Sequence, residues 1–257
     1  YLTFMSGGGS LTVVILRLSQ GKTLKEVFSL PKRVMLTGFF GVALYTVMLA
    51  LAFGMAEPHE VGLINLINYL WPIWIVLLGM VLLGERPNVI VTLTGVALGF
   101  LGVMVSKGFD QIFAWPDSVI PHLLALFGAL FWAIYSVLIK RWSIPEEKSG
   151  PAFHFMVCAL VAFGIALYNG EVSNLSDFSL AHGFWILFGA VGPVGFAYYW
   201  WEIGIKRGSV NLIATLAYFI PVGSSLLIGL VFKEAMNSGL LPGAILIAIG
   251  AWITRKS

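Results

Sequence analysis

Two amides, a phenol and a proline interrupt an otherwise apolar run between Glu60 and Leu83: Asn65, Asn68, Tyr69 and Pro72. On a helix their i, i+3, i+4, i+7 spacing confines them to an arc of about 100°. Amides in a lipid-immersed segment must face protein or water, so the stripe either hydrogen-bonds a neighbouring helix or lines a cavity. The flanking Trp71 favours the cavity. Pro72 has no N–H and so frees the Asn68 carbonyl, as Pro221 does for Ala217. Amides, indole N–H groups, phenols and freed carbonyls together offer donors to a carboxylate and acceptors to an ammonium without any fixed charge. That set suits a zwitterion. The two prolines are also places where a helix can kink or hinge.

Aromatic residues crowd the second half, with Phe131, Trp132 and Tyr135 in one segment and Tyr198, Tyr199, Trp200 and Trp201 in another. Consecutive rings point all around a helix, so only some can line a site; Trp132, Tyr135, Tyr199 and Trp201 are the expected walls, with some of the others left to the membrane interface. Apolar walls suit a bulky uncharged side chain and a tolerant site. Glu202 lies inside a segment, where a proton carrier could sit, but Lys206 at i+4 makes an ordinary ion pair the stronger reading. With the other carboxylates near loops, transport without proton coupling is expected. His154 and Cys158 share a face but lack a third ligand, so packing is expected and no metal site. Gly7-Gly-Gly-Ser10 has no following lysine, which excludes a phosphate loop and leaves close helix contact. No nucleophile, base and orienting group occur together, so neither enzyme chemistry nor a cofactor is expected.

The elements that must position these residues are membrane helices. Of 257 residues 59% are hydrophobic and 11% charged, and the mean hydropathy is +0.93; a soluble domain carries about 25% charged residues. Apolar runs fall near residues 1–18, 33–56, 60–83, 89–104, 120–140, 150–168, 183–204, 211–232 and 239–254, with loops too short for a soluble domain. Alternating the loops across a bilayer puts 13 of the 15 basic residues on one side and leaves Lys107 and Lys233 on the other. The rich side is then cytoplasmic and holds the C-terminus. The net charge of +3 is explained by this topology and does not call for a nucleic-acid partner. One cysteine, Cys158, excludes an internal disulfide.

An internal repeat organises the segments. Val61-Gly-Leu-Ile-Asn-Leu-Ile-Asn-Tyr69-Leu-Trp-Pro72 is echoed by Val210-Asn-Leu-Ile-Ala-Thr-Leu-Ala-Tyr218-Phe-Ile-Pro221 at an offset of 149. The match extends to Glu85 and Glu234 and, after a one-residue slip, carries Gly95 and Gly102 onto Gly243 and Gly250. Glu85 and Glu234 fall on opposite faces, so the unit has an odd number of spans and the repeat is inverted. Residues 1–110 form the first unit with four helices and residues 118–257 the second with five. An all-α membrane protein of two inverted five-helix repeats, ten helices in all with the first absent from this chain, is the expected fold.

Asn68-Tyr-Leu-Trp-Pro72, Gly195-Phe-Ala-Tyr198 followed by Trp201, and Tyr45 ahead of an Ala/Leu run resemble the EamA group of the drug/metabolite transporter superfamily, and within it the bacterial aromatic amino-acid exporters. The resemblance runs nearly the whole length. It implies ten helices in two inverted units, a glutamate near the ends of the fourth and ninth, cytoplasmic termini, and export of amino acids across the inner membrane. The central cavity is expected between Asn68 and the segment around Tyr218. Substrate-site candidates are Asn65, Asn68, Tyr69, Trp71, Tyr45, Trp132, Tyr135, Tyr199, Trp201 and Tyr218, with Pro72 and Pro221 as hinges; the lipid bilayer is the only other partner, and no oligomer is required. Another small solute is the alternative, although phosphorylated ones call for Lys or Arg that the segment interiors lack. A non-transporting scaffold is the other.

Overall fold

The computed structural model describes residues 1–84, 88–108, 118–170, 179–232 and 238–255, and every regular element among them is helical. Eight stretches are long and apolar enough to cross a membrane. They are α1 (Leu2–Ser19), α3 (Lys32–Met55), the pair α4 (Val61–Asn68) and α5 (Trp71–Leu82), α6 (Val89–Lys107), α7 (Val119–Arg141), α8 (Pro151–Tyr168), α9 (Leu180–Arg207), and the pair α10 (Val210–Leu216) and α11 (Phe219–Phe232). A ninth apolar helix, α12 (Leu240–Thr254), has 15 residues, and the short α2 (Leu24–Phe28) links α1 to α3. At 1.5 Å per residue, 18 to 23 residues span roughly the 30 Å of a hydrocarbon core. Large apolar side chains face outward, among them Ile90 (78% exposed), Leu230 (72%) and Leu160 (64%), which only lipid tolerates in such number. Glu85 and Glu234, with Arg86, Lys233 and Lys256 from the charge count, lie outside the described residues.

Polar residues mark where several of the helices start. Asn88 accepts from the Val91 N–H at 3.2 Å, Ser209 caps α10, and Thr23 with Glu26 forms a reciprocal capping box on α2. These short side chains satisfy amide groups that a helix terminus leaves open.

Two compact units result, Tyr1–Ala50 with Leu138–Arg207, and Leu51–Val137 with Gly208–Ser257. Each draws residues from both halves of the chain.

In the first unit the glycine run lies inside α1, where it permits the expected close contact: a methyl on Gly8 would sit 2.7 Å from Ala190 Cβ, and one on Gly9 would overlap Val194. Ser10 donates to the Ala152 carbonyl at 2.6 Å. Both α3 and α9 contain a π-helical stretch, Phe39–Leu44 and Ala190–Phe196. In α9 Pro193 supplies a cause, since it has no N–H for the regular ladder. In α3 the buried His154 reaches across from α8 to the Val34 carbonyl at 3.1 Å. It thereby competes for an acceptor in the turn before the π stretch.

The second unit is held by α6 and α12. Methyls built on Gly95 and Gly102 would each lie 2.6 Å from a carbonyl oxygen, of Gly250 and Gly243 respectively. Only glycine allows backbones so close. Because the lower number on α6 meets the higher on α12, the helices run antiparallel.

Candidate functional site

The polar stripe does not occupy one continuous helix. Asn65 and Asn68 end α4, Tyr69 and Leu70 form a turn, and Pro72 sits in the first turn of α5. Leu70 N–H bonds to the Ile67 carbonyl at 3.0 Å, three residues back instead of four, which tightens the chain before the proline. The second copy breaks at the equivalent place, between Leu216 and Phe219. There the Ala217 carbonyl, expected to be released by Pro221, accepts from the Ile220 N–H at 3.0 Å.

Asn68 is 7% exposed, and its Oδ1 accepts no hydrogen bond. An unmet buried acceptor costs about 1–3 kcal/mol, which makes this oxygen a candidate to accept from a ligand. Trp71, three residues on, meets Trp132 edge-on with ring centroids 6.3 Å apart. Trp132 in turn lies 5.6 Å from Tyr135. All three are nearly buried; the structure therefore gathers Trp71, Trp132 and Tyr135 into one aromatic cluster next to the break. Tyr218 is fully buried against α6, its ring in the space left by Gly99 and 6.2 Å from Phe100. Trp74 Nε1, unremarked in the sequence, is a second buried group of this span without a hydrogen-bond partner; only its neighbours could have revealed it.

A cavity of about 430 Å³ opens at the start of α4, lined by Pro58, His59, Val61, Gly62, Asn65 and Lys107. Lys107, assigned on sequence to topology alone, is half-buried, and its ammonium donates to Ser225 Oγ of α11 at 3.3 Å. Its place in the last turn of a span was the one available signal.

The remaining candidates belong to the first unit. Tyr45 is buried just past the π stretch of α3 and shares the surroundings of Tyr198 with Thr46, while Tyr198 packs edge-on against Phe155 at 4.7 Å. Tyr199 instead joins a core of Val13, Val14, Val27 and Ala152 and bonds through its hydroxyl to the Gln20 amide at 3.2 Å. Trp201 is half-buried. Glu202 makes the expected pair with Lys206 at 2.5 Å and also accepts from the Gly150 N–H at 3.0 Å. Cys158 accepts from Ser6 at 3.3 Å. Among the described residues no three His, Cys, Asp or Glu side chains come together as metal ligands.

Residues 119–255 match the EamA-like transporter family. The protein named aromatic amino acid exporter YddG of Ancylobacter novellus is 34% identical over 97% of this chain and 83% of its own length. The chain belongs to the EamA-like transporter family. The equally named protein of Salmonella typhimurium is 27% identical over 96% of this transporter and 85% of that protein. A solved crystal structure, 28% identical, superposes with a TM-score of 0.81 over 98% of this transporter and 86% of that chain. The protein is thus a multi-pass membrane transporter and not an enzyme.

Proposed function

We propose that this transporter exports amino acids, aromatic and other uncharged ones, across a bacterial inner membrane. The observation that carries the reading is Asn68 Oδ1, a buried acceptor without a partner at a broken span that continues with Trp71, itself packed on Trp132 and through it on Tyr135. Such an oxygen suits a substrate ammonium, and the rings suit its side chain. Relatives named aromatic amino acid exporters support the same substrate class.

The mechanism is alternating access of two inverted repeat units. Its support is the pairing of glycines. Gly95 and Gly102 correspond by repeat to Gly243 and Gly250, yet Gly95 meets Gly250 and Gly102 meets Gly243. A crossed pairing between equivalent antiparallel helices is the pattern of an isologous, two-fold contact. The repeat break shared by α4/α5 and α10/α11 supplies the hinges, at Pro72 and Pro221. Transport is uniport: among the described residues Glu202 is the one carboxylate within the membrane-spanning helices, and it is committed to Lys206 and Gly150. The charge distribution supports a cytoplasmic C-terminus.

The test is uptake of radiolabelled phenylalanine into proteoliposomes, with and without a pH gradient. Uptake above empty vesicles and indifferent to the gradient is expected; no uptake of any neutral amino acid sinks the export reading, and gradient-driven accumulation sinks uniport. A thermal-shift screen of the twenty amino acids reads ligand class independently.

A further inference from the structure

Lys107 behaves unlike a topological lysine. A lysine in the last turn of a span ordinarily extends its stem toward water, as the exposed Lys25, Lys32 and Arg33 do near other helix ends. Lys107 is half-buried and turns to Ser225 of α11 at 3.3 Å. That places an ammonium in the wall of the 430 Å³ cavity, opposite the first turn and a half of α4. The volume lies within the range of about 300–1,000 Å³ for small-molecule sites.

Among the described residues its lining offers the Lys107 ammonium, the His59 imidazole and the Asn65 amide. Glu57 and Glu60, which precede α4, are not among the described lining residues; Glu60 is 2% exposed, and its Oε2 accepts from the Glu57 N–H at 3.0 Å. Along α4, Asn65 and Asn68 are three residues and so about 4.5 Å of rise apart on one face. The acceptor at Asn68 and the cationic cavity at Asn65 are therefore successive stations on the same helix face.

We propose that this cavity is an exit subsite that binds the carboxylate of the departing amino acid, with Lys107 as the charged donor and Asn65 as the neutral one. It rests on the export reading, and the face in question is the one the charge count puts outside. At Asn68 the substrate is held through its ammonium; moving one helical turn outward exchanges that hold for one on its carboxylate. Ser225 positions the ammonium. The ligand class is an α-amino acid with a free carboxylate, so the amine lacking that group should not use the subsite.

The experiment measures half-saturation for L-phenylalanine from each face of uniformly oriented proteoliposomes, and competition by phenethylamine, which lacks the carboxylate. Lys107→Met is expected to raise outer-face half-saturation for phenylalanine about tenfold or more, the effect of losing a hydrogen bond to a charged group. Inner-face half-saturation and the effect of phenethylamine should not change, and Lys107→Arg should retain most outer-face affinity. Lys107→Gln, which keeps a donor for Ser225, replaces Lys107→Met if that variant does not reconstitute. Unchanged outer-face half-saturation in the neutral variants overturns the subsite, as does equal loss on both faces or equal loss of phenethylamine competition. A wild type that moves no phenylalanine from either face instead overturns the export reading itself.

Discussion

The spans α4/α5 and α10/α11 have the same break and carry different residues at it. Each bends one residue either side of a tyrosine, Tyr69 or Tyr218, and each carries a proline three residues later, Pro72 or Pro221. In the second span Thr215 is answered from within the protein. The Thr215 hydroxyl lies 2.9 Å from the Asn211 carbonyl and 3.2 Å from the Thr254 hydroxyl, which donates to the Gly250 carbonyl at 2.9 Å. The Ala217 carbonyl is recaptured by Ile220. In the first span Asn68 stands where the second has Ala217, and its oxygen is left unmet. Under the proposed function the same break serves packing in one span and binding in the other, and the residue at Asn68 or Ala217 is what differs.

Asn68→Ala erases that difference by giving the first span the residue of the second, and it has the largest expected effect. Phenylalanine transport should fall roughly 10- to 100-fold, the range for a hydrogen bond to a charged partner, with no loss of thermal stability. Trp132→Ala should weaken aromatic substrates more than small ones. Thr215→Val is the mirror experiment: it should lower stability by about 0.6–1.7 kcal/mol, as buried interhelical hydrogen bonds do in membranes, and leave transport nearly intact. Loss of transport from Thr215→Val with none from Asn68→Ala would reverse the assignment of the two spans.

Much of this contrast was legible in the sequence, because amides and prolines in an apolar run are rare and their spacing fixes a face. Asn65, Asn68 and Pro72 could be read in that way, as could the Glu202–Lys206 pair at i+4. Partner satisfaction could not. It depends on which groups neighbouring helices present, so nothing in the sequence says that Ile220 takes the Ala217 carbonyl or that Tyr199 turns to Gln20 while Tyr198 lies near Tyr45. The π stretches were equally hidden, since His154 acts on α3 from 120 residues away. Lys107 was misleading for another reason: hydropathy counts a lysine at a helix end as topology whichever way its stem turns.

The glycine contact between α6 and α12 sharpens the comparison at the level of the repeat. A methyl at Gly102 or Gly95 meets a backbone oxygen that cannot rotate away, so alanine at either should cost about 1–3 kcal/mol by overpacking. If a two-fold axis relates the helices, Gly102→Ala and its repeat equivalent Gly250→Ala should cost nearly the same, as should Gly95→Ala and Gly243→Ala. Thermal melts of the four variants decide it; unequal costs within the pairs argue against the inverted relation.

The prolines should differ by less. Pro72→Ala supplies an N–H that can close onto the Asn68 carbonyl and stiffen the break, and the transport rate should fall severalfold with half-saturation little changed. Pro221→Ala finds the Ala217 carbonyl already engaged, so its rate should stay near wild type. Rates measured at saturating phenylalanine separate the two, and equal slowing would make both breaks hinges of the same kind.

The smallest effect belongs outside both spans, and it serves as their control. Exposed Arg207 holds the Glu146 carboxylate through two hydrogen bonds of 2.5 Å, which sets the carboxyl below its ordinary value of 4.5. A carboxyl depressed in the folded state adds stability above its unfolded pKa and loses it as pH falls through the folded value. Glu146→Gln should therefore melt slightly below wild type at pH 7, and the gap should close as pH falls through the depressed folded value, below which both side chains are neutral. An exposed pair of this kind contributes little and is screened by salt, so 0.5 M salt, about a 4 Å screening length, should narrow the gap at pH 7 as well. Transport by Glu146→Gln should match wild type throughout. A transport defect in this variant at neutral pH would mean that the difference between the two broken spans is not where substrate handling is decided.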